Sequence, residues 1–408
     1  MTTRSSAALA VALASLAAVQ AQPVVDTRVE LGSRPALLVA DLPDGELKSR
    51  LQACLDEPPK RTVFSIGHRG AGLVFPEHTL EAYEAAYRMG AGTIECDVTF
   101  TKDLELVCRH AQNDLATTTD ILLTPLASTC IAPFKPARLD ADGNVRRAAS
   151  AECRTSELTL AEFKSLRGKI DAFDPAAQTV EQFVMPRRAA RPDLGEGLAY
   201  GTLLTHAESI ALFKRLGVRM IPELKEASVR LPWGGVTRDQ LAQKLIDEYR
   251  AAGVPPSDVF PQSFHKRDVE YWIQHEPEYG ERAMLLANAF FPPGARRLRG
   301  YKAAGINIWA PAMAALLDLD GEGRIVPSRA ARGARAAGLE LVTWTLERSG
   351  NLAAPNKGFY YRTIDAAVTR EGDVLRVVDV LARDVGVRGI FSDWPATVSF
   401  YAGCAGLP

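Results

Sequence analysis

Residues 93–110 read TIECDVTFTKDLELVCRH, a strand and a hairpin around which the rest of the chain is organised. Residues 93–98 have the mixed apolar and β-branched character of a strand, with Glu95 and Asp97 two positions apart. The period of two turns both carboxylates to one face. A polar turn, Thr101-Lys102-Asp103, leads into a hairpin partner over 104–109, and His110 follows it. Upstream, residues 63–67 form an earlier strand that runs into His68-Arg69-Gly70. Downstream, Pro222-Glu223-Leu224-Lys225 adds a third carboxylate and a lysine at the end of another strand. Two imidazoles, three acidic groups and two fixed cations thus fall at or just past strand ends.

The same rhythm continues. Strand patterns recur at 219–223, 259–263, 283–286, 306–310, 339–346 and 389–392, which brings the principal strands to eight. Helical patterns at 79–89, 207–216, 238–252 and 373–384 alternate with them. Eight strands alternating with helices predict an α/β chain folded as a (β/α)8 TIM barrel. An open doubly wound sheet is the alternative, but no Gly-rich phosphate loop follows the first strand. Residues from about 112 to 203 break the rhythm and read as a long insertion between the second and third barrel strands. Within it, Thr159-Leu160-Ala161-Glu162 has the form of a capping box. A second irregular stretch, 347–370, follows the seventh strand. Both lie at the strand ends where a barrel places its active site, and both read as walls around a substrate.

The chain has 408 residues, 47% of them hydrophobic, with a formal net charge of −1. That length supports one barrel with an insertion, and the neutral balance implies no broad basic face for nucleic acid. Residues 7–18, AALAVALASLAA, are too short to span a bilayer. With Arg4 before them and Val19-Gln20-Ala21 after, residues 1–21 read as a signal peptide, 22–60 as an N-terminal extension and 61–408 as the barrel. No cysteine follows the cleavage site and no later run is long enough to span a membrane. The expectation is a secreted or periplasmic protein without stable membrane insertion and with no implied protein partner. Six cysteines fit that compartment. Cys130 and Cys153 lie together in the insertion, and Cys54 and Cys404 lie near the two ends of the mature chain; both pairs are bridge candidates. Strand parity argues against Cys96–Cys108, because Cys96 points away from Glu95 and Asp97 while Cys108 is read on the face of His110.

Two carboxylates as close as Glu95 and Asp97 repel unless a cation or a proton lies between them. An E-x-D pair alone is commonly a solvated strand face; with Glu223 and the histidines nearby, a divalent cation is the natural resolution. Oxygen-only ligands favour Mg²⁺ or Ca²⁺ over zinc. His68 and His110 have the chemistry of a general base and a general acid near neutral pH. Arg69 and Lys225 can hold phosphoryl oxygens, Arg69 through a planar fork, although a salt bridge from Arg69 to Glu77 is the plain structural reading. His206 begins a helix, His275 lies on a surface helix, and His265 follows the fourth strand; structural roles are expected for all three. Asp393 either reaches the pocket or caps the next helix.

His68-Arg69-Gly70, Pro76-Glu77-His78-Thr79, Glu95-Cys96-Asp97-Val98, Thr101-Lys102-Asp103 and Val107-Cys108-Arg109-His110 together resemble the N-terminal signature of the glycerophosphodiester phosphodiesterase family. Pro222-Glu223-Leu224-Lys225, Gln262-Ser263-Phe264, Val342-Thr343-Trp344 and Gly389-Ile390-Phe391-Ser392-Asp393-Trp394-Pro395 are similar to its later motifs. The resemblance runs from about 61 to 400 and is closest to secreted, insertion-bearing members. It implies a TIM-barrel enzyme that hydrolyses glycerophosphodiesters, its small-molecule substrates, to an alcohol and glycerol 3-phosphate. It makes His68 and His110 the acid/base pair, and Glu95, Asp97 and Glu223 the ligands of one divalent cation, Ca²⁺ or Mg²⁺. Arg69, Lys225, Glu77, Gln262 and Trp344 become substrate or phosphate contacts. Two departures stand out. The usual asparagine would suit a helix cap, so His78 in its place either weakens the cap or adds a polar group to the site, with a structural role expected; Ala111 replaces an aspartate after His110, and either Asp114 substitutes for it or that support is lost. A phospholipase D-like enzyme acting on lysophospholipid or sphingomyelin is the nearest rival. A non-catalytic exported binder of phosphorylated ligands is the rival outside enzymes.

Overall fold

The computed structural model describes residues 27–184, 191, 194 and 198–408. The expected signal peptide, 1–21, lies outside the described residues. Eight parallel strands carry the architecture: β1 Thr62–Gly67, β2 Ala91–Phe100, β3 Arg219–Leu224, β4 Gln262–Ser263, β5 Met284–Ala287, β6 Ile308–Pro311, β7 Glu340–Leu341 and β8 Ile390–Ser392. Their spatial order runs β7-β6-β5-β4-β3-β2-β1-β8. The sheet closes on itself where Thr343, just past β7, bridges Ile390 of β8 in parallel register. The Phe391 N–H donates to the Thr343 carbonyl at 2.9 Å and the Arg388 N–H to that of Leu341 at 2.7 Å. Each strand is followed by a helix: α1 Leu80–Arg88, α2 His206–Leu216, α3 Arg238–Ala251, α4 Lys266–His275, α5 Ala295–Ala303, α6 Arg329–Ala336, α7 Asp373–Asp379 and α8 Ala396–Ala405. This is the (β/α)8 barrel.

Alternation along the strands sets what faces the barrel axis. Ile94, Cys96 and Val98 of β2, with Met220 and Leu224 of β3, pack outward into the helix layer beside Tyr83, Phe213, Leu245 and Trp272. Ile66, Ile221, Met284, Leu286, Ile308, Val342 and Phe391 fill the interior. Glu95 and Asp97, between the outward residues of β2, therefore point to the axis. In register, Asp97 sits beside Glu223, and Glu223 beside Gln262, so three polar side chains from adjacent strands share one level near the mouth.

The fourth strand pattern, 259–263, forms a regular ladder only at Gln262–Ser263. Pro261 has no N–H to give, so the ladder breaks there. The segment still tracks its neighbours: the Phe260 N–H donates to Met220 at 2.9 Å and the Pro261 carbonyl accepts from Met284 at 2.8 Å.

Between β2 and β3, a hairpin strand, Leu106–Cys108, pairs antiparallel with β2. Beyond it lie short strand pairs, 3-10 turns and a helix, Leu160–Ser165, whose capping box is formed by Thr159 and Glu162. These elements gather a small core of their own around Leu115, Ile121, Leu158, Phe163 and Phe183. Three disulfides are present: Cys54–Cys404, Cys130–Cys153 and Cys96–Cys108, with no free cysteine among the described residues. The last corrects the parity argument. The hairpin strand ends at Cys108, so His110 is outside the ladder and says nothing about the direction of Cys108. Val98 pairs directly with Cys108, which puts Cys108 on the outward face that Val98 shares with Cys96. The Cα atoms of the bridge are 5.5 Å apart.

Candidate active site

His68 and Arg69 follow directly on β1, and the His68 N–H is held by the Ser392 carbonyl of β8 at 3.0 Å. The turn then presses against α1. Gly70 adopts φ +88, and a Cβ there would lie 2.7 Å from the Ala82 backbone, so only glycine fits. Arg69 itself has φ 58, which turns its N–H inward to the Glu95 carboxylate at 3.0 Å.

Three carboxylates meet at the mouth. Glu95, Asp97 and Glu223 each offer an oxygen, all within 4.8 Å of one another, and all three residues are buried. Glu95 accepts from the Gln262 amide at 2.7 Å; Asp97 accepts from His78 Nε2 at 2.9 Å; Glu223 takes the Lys225 ammonium at 2.7 Å. Asp97 Oδ1 is buried and has no hydrogen-bond partner among the described residues. An orphaned buried carboxylate oxygen costs roughly 1–3 kcal/mol or more. Burial, with the repulsion of its acidic neighbours, pushes Glu95 far above the usual carboxylate range, and burial pushes Glu223 up to about 8 against the pull of Lys225. Burial acts on Asp97 too, but Lys225 and His78 outweigh it and hold that group well below its ordinary value. Such a cluster has the donor set, the spacing and the unmet oxygen that suit a hard divalent cation.

The two histidines flank this cluster in one cavity of about 210 Å³, together with Arg69, Lys225, Gln262, Phe264, Trp344 and Tyr360. His68 Nδ1 lies 2.9 Å from Asp393 Oδ1. Asp393 is fully buried; although burial favours the neutral acid, Arg348 and His68 keep it ionised far below the usual range. An ionised Asp393 makes His68 Nδ1 the protonated nitrogen and leaves Nε2, 3.8 Å from Glu95, free to accept a proton. Burial pulls the His68 pKa below its ordinary value despite Asp393. His110 follows a segment clamped by the Arg109 N–H on the Asp97 carbonyl, at 2.8 Å. Burial, Arg69 and Lys225 depress its pKa strongly.

Arg69 Nη1 is pinned by Glu77 at 2.9 Å. Glu77 lies behind Arg69 and is not among the residues lining the cavity, so it orients the guanidinium. Trp344 lines the cavity wall with its indole N–H on the Ala310 carbonyl.

Two positions that the sequence left open have definite partners. The helix cap is Thr79, which accepts from the Ala82 N–H, while His78 adopts φ 56 and is fully buried. That left-handed conformation is one that both asparagine and histidine tolerate. It sends the ring back to Asp97, with Tyr83 Oη on the other nitrogen at 2.9 Å. Burial lowers the His78 pKa to about 4, so the neutral ring donates to Asp97. Asp114 takes the Ala111 N–H at 2.9 Å and a Thr118 hydroxyl at 3.2 Å, and braces the loop after His110; it makes no hydrogen bond to His110. Elsewhere, His206 is buried on Glu248 and Tyr249, His265 pairs with Glu226, and His275 stacks on Tyr271.

Arg348 went unseen in the sequence. It donates from Nε and Nη2 to Asp393 at 3.0 and 2.6 Å and approaches Glu77 at 3.6 Å. It tethers the supports of both His68 and Arg69 from an irregular loop whose sequence has no period to read. Tyr360 of the wall was likewise unmarked, and Phe264 entered only as part of the Gln262-Ser263-Phe264 motif.

The glycerophosphoryl diester phosphodiesterase family model matches residues 68–397, and the chain belongs to that family of phosphoric diester hydrolases. An Arthroderma benhamiae relative named as an extracellular protein is 45% identical over 246 residues, covering 58% of this chain and all of that one. A Mycobacterium tuberculosis protein that bears the name glycerophosphodiester phosphodiesterase 1 is 33% identical over 155 residues, 38% of this chain and 50% of its own length. A solved structure from Silicibacter pomeroyi, named for the same activity, superposes with a TM-score of 0.54 at 20% identity, over 87% of this chain and 97% of that one. At that identity it speaks for the fold.

Proposed function

We propose that the protein hydrolyses glycerophosphodiesters to an alcohol and glycerol 3-phosphate, with one divalent cation and the paired histidines His68 and His110. The observation that carries this reading is the meeting of Glu95, Asp97 and Glu223 with both imidazoles in a single cavity beside Arg69 and Lys225. Glu95, Asp97 and Glu223 would hold Ca²⁺ or Mg²⁺, which supplies Lewis-acid stabilisation of charge on the phosphoryl oxygens when bound. Arg69, held in place by Glu77, and Lys225 face the same oxygens with fixed positive charge. His68 Nε2 takes the proton from the attacking oxygen, and Asp393 stabilises the imidazolium that results. His110 delivers a proton to the departing alkoxide. The negative charge of a bound phosphodiester offsets Arg69 and Lys225, the two cations that depress His110, and so favours its protonated form.

The cavity of about 210 Å³ is below the range for drug-sized ligands and suits a small polar ester. A second reading, turnover of lysophospholipid or sphingomyelin, is favoured by one feature. Phe264 and Trp344 meet edge to face with centroids 5.8 Å apart at the cavity wall, which gives an apolar surface on which a chain can rest. Export is proposed with the activity: it rests on the leader-like residues 7–18 and the three disulfides.

The test is release of glycerol 3-phosphate from glycerophosphocholine by wild type, His68→Ala and His110→Ala. Each variant is expected to fall by at least about 100-fold with its melting temperature retained. Wild-type turnover in either variant would remove that histidine from the mechanism, and choline phosphate as the product would move the cleavage to the other ester bond.

A further inference from the structure

The loop between β5 and α5 breaks two rules that an exposed segment usually keeps. Phe290 and Phe291 are 58% and 89% exposed, consecutive, and at the barrel mouth. They are not the product of a loose loop. Pro292 and Pro293 restrict the backbone behind them. The Phe290 N–H donates to Asn288 Oδ1 at 3.1 Å, and Arg362 anchors the loop by donating to the Ala289 carbonyl while its guanidinium covers the Phe290 ring at 4.7 Å.

The helix that follows is charged in the wrong sense. α5 opens with Arg296 and Arg297, continues with Arg299, and has no acidic residue in its first turn. Cations at a helix N-terminus oppose the helix dipole, which favours anions there. All three arginines are exposed and make no ion pair among the described residues. Between Glu281 and Asp318 the sequence contains no acidic residue at all, against five basic ones. For a chain with a net charge of −1 this is a local concentration of positive charge. Phe291, Pro292, Pro293, Arg296 and Arg297 border one shallow groove, so the aromatic and cationic features form a single surface.

That surface is continuous with the catalytic mouth. The Phe290 ring packs on Phe359 at 5.0 Å between centroids, and Phe359 on Tyr360 at 5.2 Å; Trp344 contacts Tyr360 at 5.9 Å. Trp344 and Tyr360 line the cavity that holds His68 and His110. An aromatic path thus runs from the exposed tip to the site. Exposed aromatic rings beside exposed arginines fit an interface that is apolar below and anionic above.

We propose that Phe290 and Phe291, with Arg296, Arg297 and Arg299, form a docking surface for an anionic phospholipid membrane, and that docking sets the barrel mouth against the lipid surface. Attachment is peripheral: the phenyl rings enter the headgroup boundary and the guanidinium groups pair with lipid phosphates and carboxylates. No helix among the described residues is long and apolar enough to cross the membrane.

The experiment is co-sedimentation of the full chain with vesicles of phosphatidylcholine alone or mixed with phosphatidylserine, at low and high salt. Wild type is expected to bind the phosphatidylserine vesicles and to leave them as salt rises. Combined replacement of Arg296, Arg297 and Arg299 by Ser should lower partitioning about 100-fold, near five-fold per arginine. Replacement of the same three by Lys should keep most of it, and Phe291→Ser should lower it roughly ten-fold. Hydrolysis of soluble glycerophosphocholine should be unchanged in every variant, which reports an intact fold. Vesicle binding is scored without turnover, so an error in the assigned reaction leaves this result standing. Absence of binding to either vesicle overturns the proposal. So does binding that the serine variants retain, or retention on duplex DNA with none on vesicles.

Discussion

Asp393→Asn isolates the support of one catalytic imidazole with almost no change in shape. The carboxylate is fully buried and holds His68 Nδ1 at 2.9 Å, Arg348 at 2.6 Å and the Thr345 hydroxyl at 2.7 Å. An asparagine oxygen can still accept from His68, so the ring stays in place, but the negative charge that stabilises the imidazolium is gone. The lower bound on the loss is the difference between a charge-assisted and a neutral hydrogen bond, about 1.5 kcal/mol. The upper bound is the attraction of two unit charges about 4 Å apart at an effective dielectric constant of about 20, roughly 4 kcal/mol. These bracket a fall in kcat of about ten-fold to about a thousand-fold. Asp393 does not line the cavity, so KM should hardly move. The assay is steady-state release of glycerol 3-phosphate, with a thermal melt to show that the barrel survives. An unchanged kcat in a folded variant, or a loss confined to KM, would refute the role assigned to Asp393 and with it the choice of His68 as base.

Three further outcomes are expected. His78→Asn keeps a residue that tolerates the left-handed backbone but is too short to reach Asp97; metal affinity, read by titrating activity against Ca²⁺, should fall roughly 10–100-fold. Glu347 is buried on the Ser392 hydroxyl, and burial raises its pKa from 4.5 to about 7. The folded state therefore binds this proton more tightly than the unfolded chain, and the stability it confers is complete below about pH 4.5, is lost as pH rises through about 7, and is flat above. The loss is about 3 kcal/mol at most, and urea unfolding of Glu347→Gln should lack that slope; an identical slope would exclude Glu347 as its source. Replacing both Cys96 and Cys108 by serine removes a bridge across 12 positions and should lower the unfolding free energy by up to about 3 kcal/mol, measured by urea titration. No loss of stability would show that the pair is not bridged in solution.

What the sequence showed of this site follows from what periodicity can carry. The spacing of Glu95 and Asp97 encodes a shared face, and the ends of strands encode nearness at a barrel mouth, so His68, His110, Glu223 and Lys225 were legible from local pattern alone. Cys96–Cys108 was misread because parity was carried past Cys108, where the strand had ended. The direction of the His78 ring was not legible, because a left-handed turn, which no spacing announces, sets it. Arg348 and Asp393 are 45 residues apart, in a loop and a strand end, and only closure of the barrel between β7 and β8 makes them neighbours of His68. Such contacts depend on tertiary geometry that no single segment records.

Anomalous diffraction from crystals soaked in calcium and glycerol 3-phosphate would locate the cation and the phosphate in one experiment. One cation peak is expected among the Glu95, Asp97 and Glu223 carboxylates, touching Asp97 Oδ1, with the phosphate between His68 and His110 against Arg69 and Lys225. A phosphate bound elsewhere, or no cation among those three carboxylates under saturating calcium, would contradict it.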